Sequence, residues 1–289
     1  MKVRQTEFSK YTVLSFEMSK KVTKHYSTSF YSATQLFSAP VREAIYGIYG
    51  FVRLADEIVD SFSGFDQRAI LNRFESEYDF AREHGVCSNP VINSFLVTVN
   101  NYDIEDSYVR SFLESMRSDL DKKVYSSRQE TDSYIYGSAD VVGLMCLCVF
   151  CGDNKKLFDE LKIPAMRLGS AFQKVNFLRD LQQDVTELGR AYFPGFSLEH
   201  FDDKVKHELV DDIQCDFNEA FKGIIRLPDS SRLAVLTAYR YYLRLLDKIR
   251  NTPAKKLIAR RIRVHNADKF RLLLNTMIKN KLKIEKYEG

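Results

Sequence analysis

Two short acidic patterns in this chain carry residue types that could do chemistry. In the first, Asp56 and Asp60 lie four residues apart within Asp-Glu-Ile-Val-Asp. On a helix that spacing puts both carboxylates on one face, a turn apart. Two like charges so placed repel mildly, and a divalent cation would reverse the sign. Magnesium takes oxygen ligands, keeps several waters, and bridges one or two carboxylates to substrate phosphates. In the second pattern Asn176, Asp180 and Asp184 recur every four residues, an oxygen-bearing stripe over two turns. Arg53 and Arg179 sit within the two patterns, and a guanidinium can fork onto a phosphate.

An Asp pair four apart is more often a solvated helix face than a ligand set. These pairs, however, sit among apolar and aromatic residues. Tyr46, Tyr49, Phe51, Ile58 and Val59 surround the first, and Phe172, Val175, Phe177 and Leu178 the second. Two such faces on separate helices, each with an arginine, favour a shared metal–diphosphate site over two solvated faces.

The elements that must position them are helices. The chain has only 12 Gly and 6 Pro in 289 residues, and no segment alternates like a strand. One or two helices are expected over 8–35, then helices at 41–62, 66–83, 90–101, 106–121, 130–151 and 155–188. Pro40 opens the second of these regions, and Gly85 is a stop for the helix at 66–83. A loop follows at 189–196. Helices resume at 203–226, 229–250 and 265–283. The simplest organisation is one all-α domain over residues 1–289.

Composition narrows the function. Hydrophobic residues make 45% and charged residues 28%, which is globular rather than disordered. The net charge of +4, without a dense basic stripe, gives no nucleic-acid signature. Cys146, Cys148 and Cys151 lie in an apolar run with no neighbouring His and read as small core residues. That run alone is too short to span a membrane. The N-terminus lacks the apolar core and cleavage site of a signal peptide, so a cytoplasmic location is expected. KKLIARRIRV (255–264) alternates basic and apolar residues. It could dock peripherally on anionic lipid at the inner face of the membrane, but an ordinary charged helix flank is the favoured reading.

On these residues the sequence resembles the squalene/phytoene synthase family of head-to-head prenyl transferases. The resemblance runs from about Tyr26 to Lys269. Its signatures are YGIYGFVRLADEIVD (46–60), FQKVNFLRDLQQD (172–184) and GRAYFP (189–194), with YSTSF (26–30) upstream and YIYGSADVVGLM (134–145) between. Each piece alone is weak, and their order and spacing together are specific. The resemblance implies an isoprenoid-synthase helical bundle around a central active-site cavity. It implies that Asp56, Asp60, Asn176, Asp180 and Asp184 hold Mg2+, with Mn2+ as a substitute. Ser27, Ser29, Tyr49, Arg53, Gln173, Arg179 and Arg190 would bind diphosphates or order the site around them. Tyr134 and Tyr242 would lie near the reacting carbons or the leaving diphosphate. Phe30, Gly137, Ala139, Val142 and Gly143 would shape the prenyl channel. Plain helix packing competes for Phe30 and the small residues, and helix N-capping for Ser27 and Ser29.

The sequence also departs from the family. Tyr26 stands where many members carry His, and Asp140 where a small apolar residue is common. The second departure bears on the chain-length pocket and leaves the expected metal ligands untouched.

The implied reaction joins two prenyl diphosphates through a cyclopropyl diphosphate to a linear hydrocarbon. Proton loss at the end gives phytoene or dehydrosqualene, and reduction by NADPH gives squalene. Length and the DEIVD and GRAYFP wording look most like bacterial phytoene synthases, hence two geranylgeranyl diphosphates and no nicotinamide. Farnesyl diphosphate with a squalene or dehydrosqualene product is the alternative. A non-catalytic assembly factor of the same fold is a further one, against which both acidic motifs are intact.

Overall fold

Each acidic pattern lies on a helix whose opposite face is apolar, and that amphipathicity organises the chain. The structure, a computed structural model, describes residues 2–186, 189–193, 200–259, 261–262 and 276, with side chains from Phe8 onward except Thr186. Among these residues the regular structure is helical, and the one extended pairing is an isolated bridge between Val124 and Ala191.

The first half runs through α1 (Lys2–Tyr26), α2 (Thr28–Thr34), α3 (Ala39–Ser61), α4 (Gln67–His84), α5 (Pro90–Asn101) and α6 (Asp106–Asp121). Local chemistry sets their ends. Ser27 separates α1 from α2 and caps α2, its hydroxyl accepting from the Phe30 amide at 3.3 Å. Asp66 caps α4 through the Ala69 amide at 2.9 Å. Gly85 ends that helix at φ 74°, a conformation that favours a residue without Cβ. Asn89 caps α5, with Pro90 at its first position.

Helix α3 carries the first acidic pattern and packs against α1, α4, α5, α6 and the later α8 (Val141–Cys151). Its buried face includes Ile45, Ile48, Phe51, Ala55 and Ile58. Phe51 is fully buried, stacking on Phe95 at 4.0 Å with Phe74 and Tyr78 alongside. The other face, Tyr49, Arg53, Asp56 and Asp60, remains half-buried.

The second half begins with α7 (Arg128–Ile135), a π turn (Tyr136–Asp140) and α8 (Val141–Cys151), which together form one continuous segment. At 24 residues this segment is long and apolar enough to cross a membrane, which the eleven-residue run read alone is not. Two thirds of its most apolar stretch is buried inside the protein, as in a core helix. The π turn occurs where the segment meets α6: a Cβ on Gly137 would fall 2.6 Å from the Ser111 carbonyl oxygen and 2.0 Å from the Ser115 hydroxyl. Gly137→Ala is therefore expected to destabilise the fold by about 1–3 kcal/mol, the usual scale of overpacking. Denaturant unfolding measures this. An unchanged midpoint would mean that α6 and the π turn part freely.

Helices α9 (Lys155–Arg179), α10 (Leu181–Thr186), α11 (Asp203–Ile224), α12 (Asp229–Arg250) and α13 (Ala254–Ala259) complete the described fold. The sequence led us to expect one helix over 155–188. Instead the regular helix stops at Arg179, and Asp180 sits at a break (φ −101°, ψ 8°) before α10 resumes. Backbone bonds from Asp180 to Asn176 and from Asp184 to Asp180 still span the break at 2.9 Å each. The stripe therefore keeps its spacing across a change of helix. The expected helix at 265–283, apart from Thr276, and residues 194–196 of the expected loop lie outside the described residues. The buried apolar residues from Phe37 to Ile262 form one cluster, to which α3, α8, α9, α11 and α12 all contribute.

Candidate functional site

Arginine partners hold the carboxylates of both acidic patterns. On α3 the Arg53 guanidinium donates to Asp56 at 2.6 Å and to Glu57. The Tyr26 ring lies 4.5 Å from the same guanidinium. Asp60, one turn on, accepts from Arg190 at 2.6 Å. Arg190 also donates to the carbonyls of Val59 (3.4 Å) and Asp119 (3.2 Å) and lies 3.5 Å from the Tyr192 hydroxyl. It is held there because its strand-like neighbour Ala191 pairs with the chain at 123–125. The 189–193 segment thus brings an arginine onto the first acidic face. At the second pattern, Asp180 takes Arg179 at 3.0 Å and Arg261 at 2.7 Å.

The two acidic faces share one electrostatic site. Burial pushes the Asp184 carboxyl up to about 7, with Asp180 and Asp60 adding to the rise. Burial likewise pushes Asp56 up to about 7, and Asp60 is its next largest contributor. The charge of Asp60 on α3 thus reaches Asp184 on α10. Although so strongly desolvated, Asp56 keeps a third of its side-chain surface (33%) open to solvent.

Among the described residues no three His, Cys, Asp or Glu side chains close on a single point as a ready metal cage. The Asp56, Asp60 and Asp180 carboxylates are instead paired with Arg53, Arg190, Arg179 and Arg261. An all-oxygen set of mutually repelling carboxylates fits a hard divalent cation that retains waters and shares substrate phosphates.

Aromatic walls flank these groups. Phe30 stacks on Tyr49 at 4.9 Å, and Phe172 on Tyr242 at 3.9 Å. The Tyr242 hydroxyl donates to Asn176 at 3.3 Å, tying α12 to the second pattern. Deeper in, Ala139, Val142 and Cys146 are half-buried apolar positions against the core, and Gly143 lies beside the Ala165 carbonyl. A family model described as squalene/phytoene synthase matches residues 23–268. The chain belongs to the squalene/phytoene synthase family.

Within that family the chain is 31% identical to phytoene synthase 2, chloroplastic, of Solanum lycopersicum, over 79% of each chain. It is 30% identical to 15-cis-phytoene synthase of Synechocystis, over 81% of this chain and 76% of the relative. Against phytoene synthase 2 of Oryza sativa subsp. japonica it is 31% identical over 79% of its own length, spanning 62% of that relative. The fold matches a solved dehydrosqualene synthase (TM-score 0.81, 23% identity, 95% of this chain and 99% of that one). It also matches squalene synthase from Alicyclobacillus acidocaldarius (TM-score 0.72, 22% identity, 86% and 95%).

Several residues named from the resemblance take specific places. Ser27 is a helix cap, and its hydroxyl also reaches that of Tyr49, whose own proton burial holds up to about 12. Ser29 bonds the Tyr241 hydroxyl. Gln173 is half-buried on α9, three residues before Asn176. Tyr134 is buried and donates to Asp119 at 2.8 Å, within a stack of Tyr125, Tyr192 and Phe177. Its hydroxyl is thus directed at a carboxylate inside the protein. Asp140, the departure from the family pattern, turns to α9, where Ser170 donates to it at 2.7 Å. It is 7% exposed, and burial raises its carboxyl to about 7.

Three participants escaped the sequence reading: Glu57, Asp119 and Arg261. Glu57 sits inside the first motif and was readable as the i+4 partner of Arg53. Asp119 and Arg261 lie far along the chain from the residues they touch, and no periodicity marks them.

Proposed function

We propose that this chain is a magnesium-dependent prenyl transferase of the 15-cis-phytoene synthase type. It joins two geranylgeranyl diphosphates head to head, through a cyclopropyl diphosphate, to phytoene, and releases diphosphate. The observation that carries this reading is the pair of arginine-bearing acidic patterns, Asp56/Asp60 and Asp180/Asp184, with Arg190 brought onto Asp60 and the ring pairs Phe30–Tyr49 and Phe172–Tyr242 on the same helices and their neighbours. The plant and cyanobacterial relatives named as phytoene synthases support the choice of substrate.

Asp56, Asp60, Asn176, Asp180 and Asp184 would hold the magnesium. Bound there, Mg2+ would neutralise charge developing on a departing diphosphate. Arg53, Arg179 and Arg190, once their carboxylates are engaged, are free to fork onto phosphate oxygens. Ser27, Tyr49 and Tyr242 would fix the orientation of the diphosphate. Phe30, Phe172 and the ring of Tyr242 present faces that stabilise an allylic cation without attacking it. The apolar residues of α8 exclude water, which would quench that cation. The closing step is loss of a C–H proton, so the reaction needs no nicotinamide. We place the enzyme in the cytoplasm, with peripheral contact to the membrane that receives its lipid product.

Diphosphate release tests the reaction class. With geranylgeranyl diphosphate as substrate, EDTA is expected to abolish release, and excess Mg2+ to restore it. Release that survives chelation would remove the metal from this reading, and no release under any condition would remove the enzyme.

A further inference from the structure

Asp119 lies near the end of α6, outside both acidic patterns. Its side chain is 7% exposed. One carboxylate oxygen accepts from the Tyr134 hydroxyl at 2.8 Å. The other is buried without a hydrogen-bond partner, as is the nearby Tyr125 hydroxyl. Its backbone carbonyl accepts from Arg190 at 3.2 Å, and the other arm of that guanidinium grips Asp60. Asp119 thus stands one residue behind the contact that closes the first acidic face.

A half-satisfied carboxylate in a low-dielectric interior projects its charge further than a solvated one. Six titratable groups feel or border it: Tyr125, Tyr134 and Tyr192 from the aromatic stack, Arg190 from its loop, and Asp56 and Asp60 from α3. Apart from burial, Asp119 is the largest influence on Arg190 and helps keep it charged. The same charge repels Asp56 and Asp60, so it deepens the negative potential where the proposed cation would sit.

We infer that Asp119 tunes the diphosphate chemistry from behind the site: its buried charge raises the cation affinity of the acidic faces and opposes anion binding there, without ligating the cation, while its backbone carbonyl keeps Arg190 in place. The inference rests on the proposed function. Its signature is a pair of opposite effects. Removing the charge should weaken cation binding and strengthen metal-free binding of an anion. Damage to the fold would weaken both.

The test is calorimetric titration of wild type, Asp119→Asn and Asp119→Ser at pH 8, with Mg2+ alone and with inorganic diphosphate alone. Asn keeps the acceptor for Tyr134, and Ser gives a second neutral variant should Asn fold poorly. Expected is roughly tenfold weaker Mg2+ binding, the scale of coupling between neighbouring sites, together with tighter diphosphate binding. Unchanged affinities, or both ligands weakened together in folded protein, would overturn the role of Asp119 alone. Failure of the wild type to bind either ligand would instead overturn the proposed site, and this inference with it.

Discussion

Asp56→Asn is expected to lower kcat by about 100- to 1,000-fold, the scale seen when one preorganised electrostatic group is removed from a reacting centre, while the protein still folds. The argument for lost turnover is positional. Asp56 shares its helix face with Asp60, and it keeps a third of its side-chain surface open to solvent. An amide there cannot supply the charge that a divalent cation requires. The argument for retained folding comes from linkage. The Asp56 carboxyl is raised from 3.8 to about 7 in the folded protein, by burial and then by Asp60. A carboxyl raised on folding contributes stability at low pH, which is lost as pH rises through the folded value. At pH 8 the ionised group therefore opposes folding, and a neutral amide relieves that. The variant should melt no lower than wild type at pH 8, with Arg53 still held by Glu57. Steady-state kinetics and a thermal melt check both halves. A folded variant with wild-type turnover would take Asp56 out of the site.

Arg53→Lys carries the next largest expected effect although it keeps the charge. The guanidinium engages Asp56 and Glu57 with two separate nitrogens, lies against the Tyr26 ring, and leaves its Nε buried without a partner. A lysine ammonium has neither the planar fork nor the flat face for such an arrangement. Loss of one charge-assisted hydrogen bond is worth about 1.5–3 kcal/mol, or about 10- to 100-fold in kcat/KM. Measurement at limiting geranylgeranyl diphosphate reads that ratio directly. Undiminished kcat/KM would show that Arg53 only anchors the helix face.

Much of the scaffold could be read from local chemistry. The bounds of α5 and α6 match expectation to the residue, because Asn89, Pro90 and the apolar periodicity act within a few positions. The stop at Gly85 was equally local. The break at Asp180 was not, because the four-residue repeat of Asn176, Asp180 and Asp184 continues through it. Arg261 reaches the Asp180 carboxylate from 81 residues away, a tertiary contact that no helical pattern encodes. The π turn at Tyr136–Asp140 likewise answers to the close approach of α6 at Gly137.

The acidic patterns were legible as faces, and the expectation of a shared site came from their arginines, their apolar surroundings and the family resemblance rather than from periodicity. Periodicity places Asp56 beside Asp60. It does not place Asp60 near Asp184, nor Arg190 on Asp60, since those pairings depend on how three separate segments pack. The same limit hid Asp119, whose meaning comes from Tyr134 and Arg190 in space. Asp140 shows the converse. A carboxylate in an apolar helix looked out of place in sequence, and the structure supplies Ser170 as its partner on α9.

Purified protein given geranylgeranyl diphosphate and Mg2+, with no nicotinamide, should yield a hydrocarbon that mass analysis identifies as phytoene, with far less turnover of farnesyl diphosphate. A C30 hydrocarbon as the preferred product, or a strict requirement for NADPH, would contradict the proposed function.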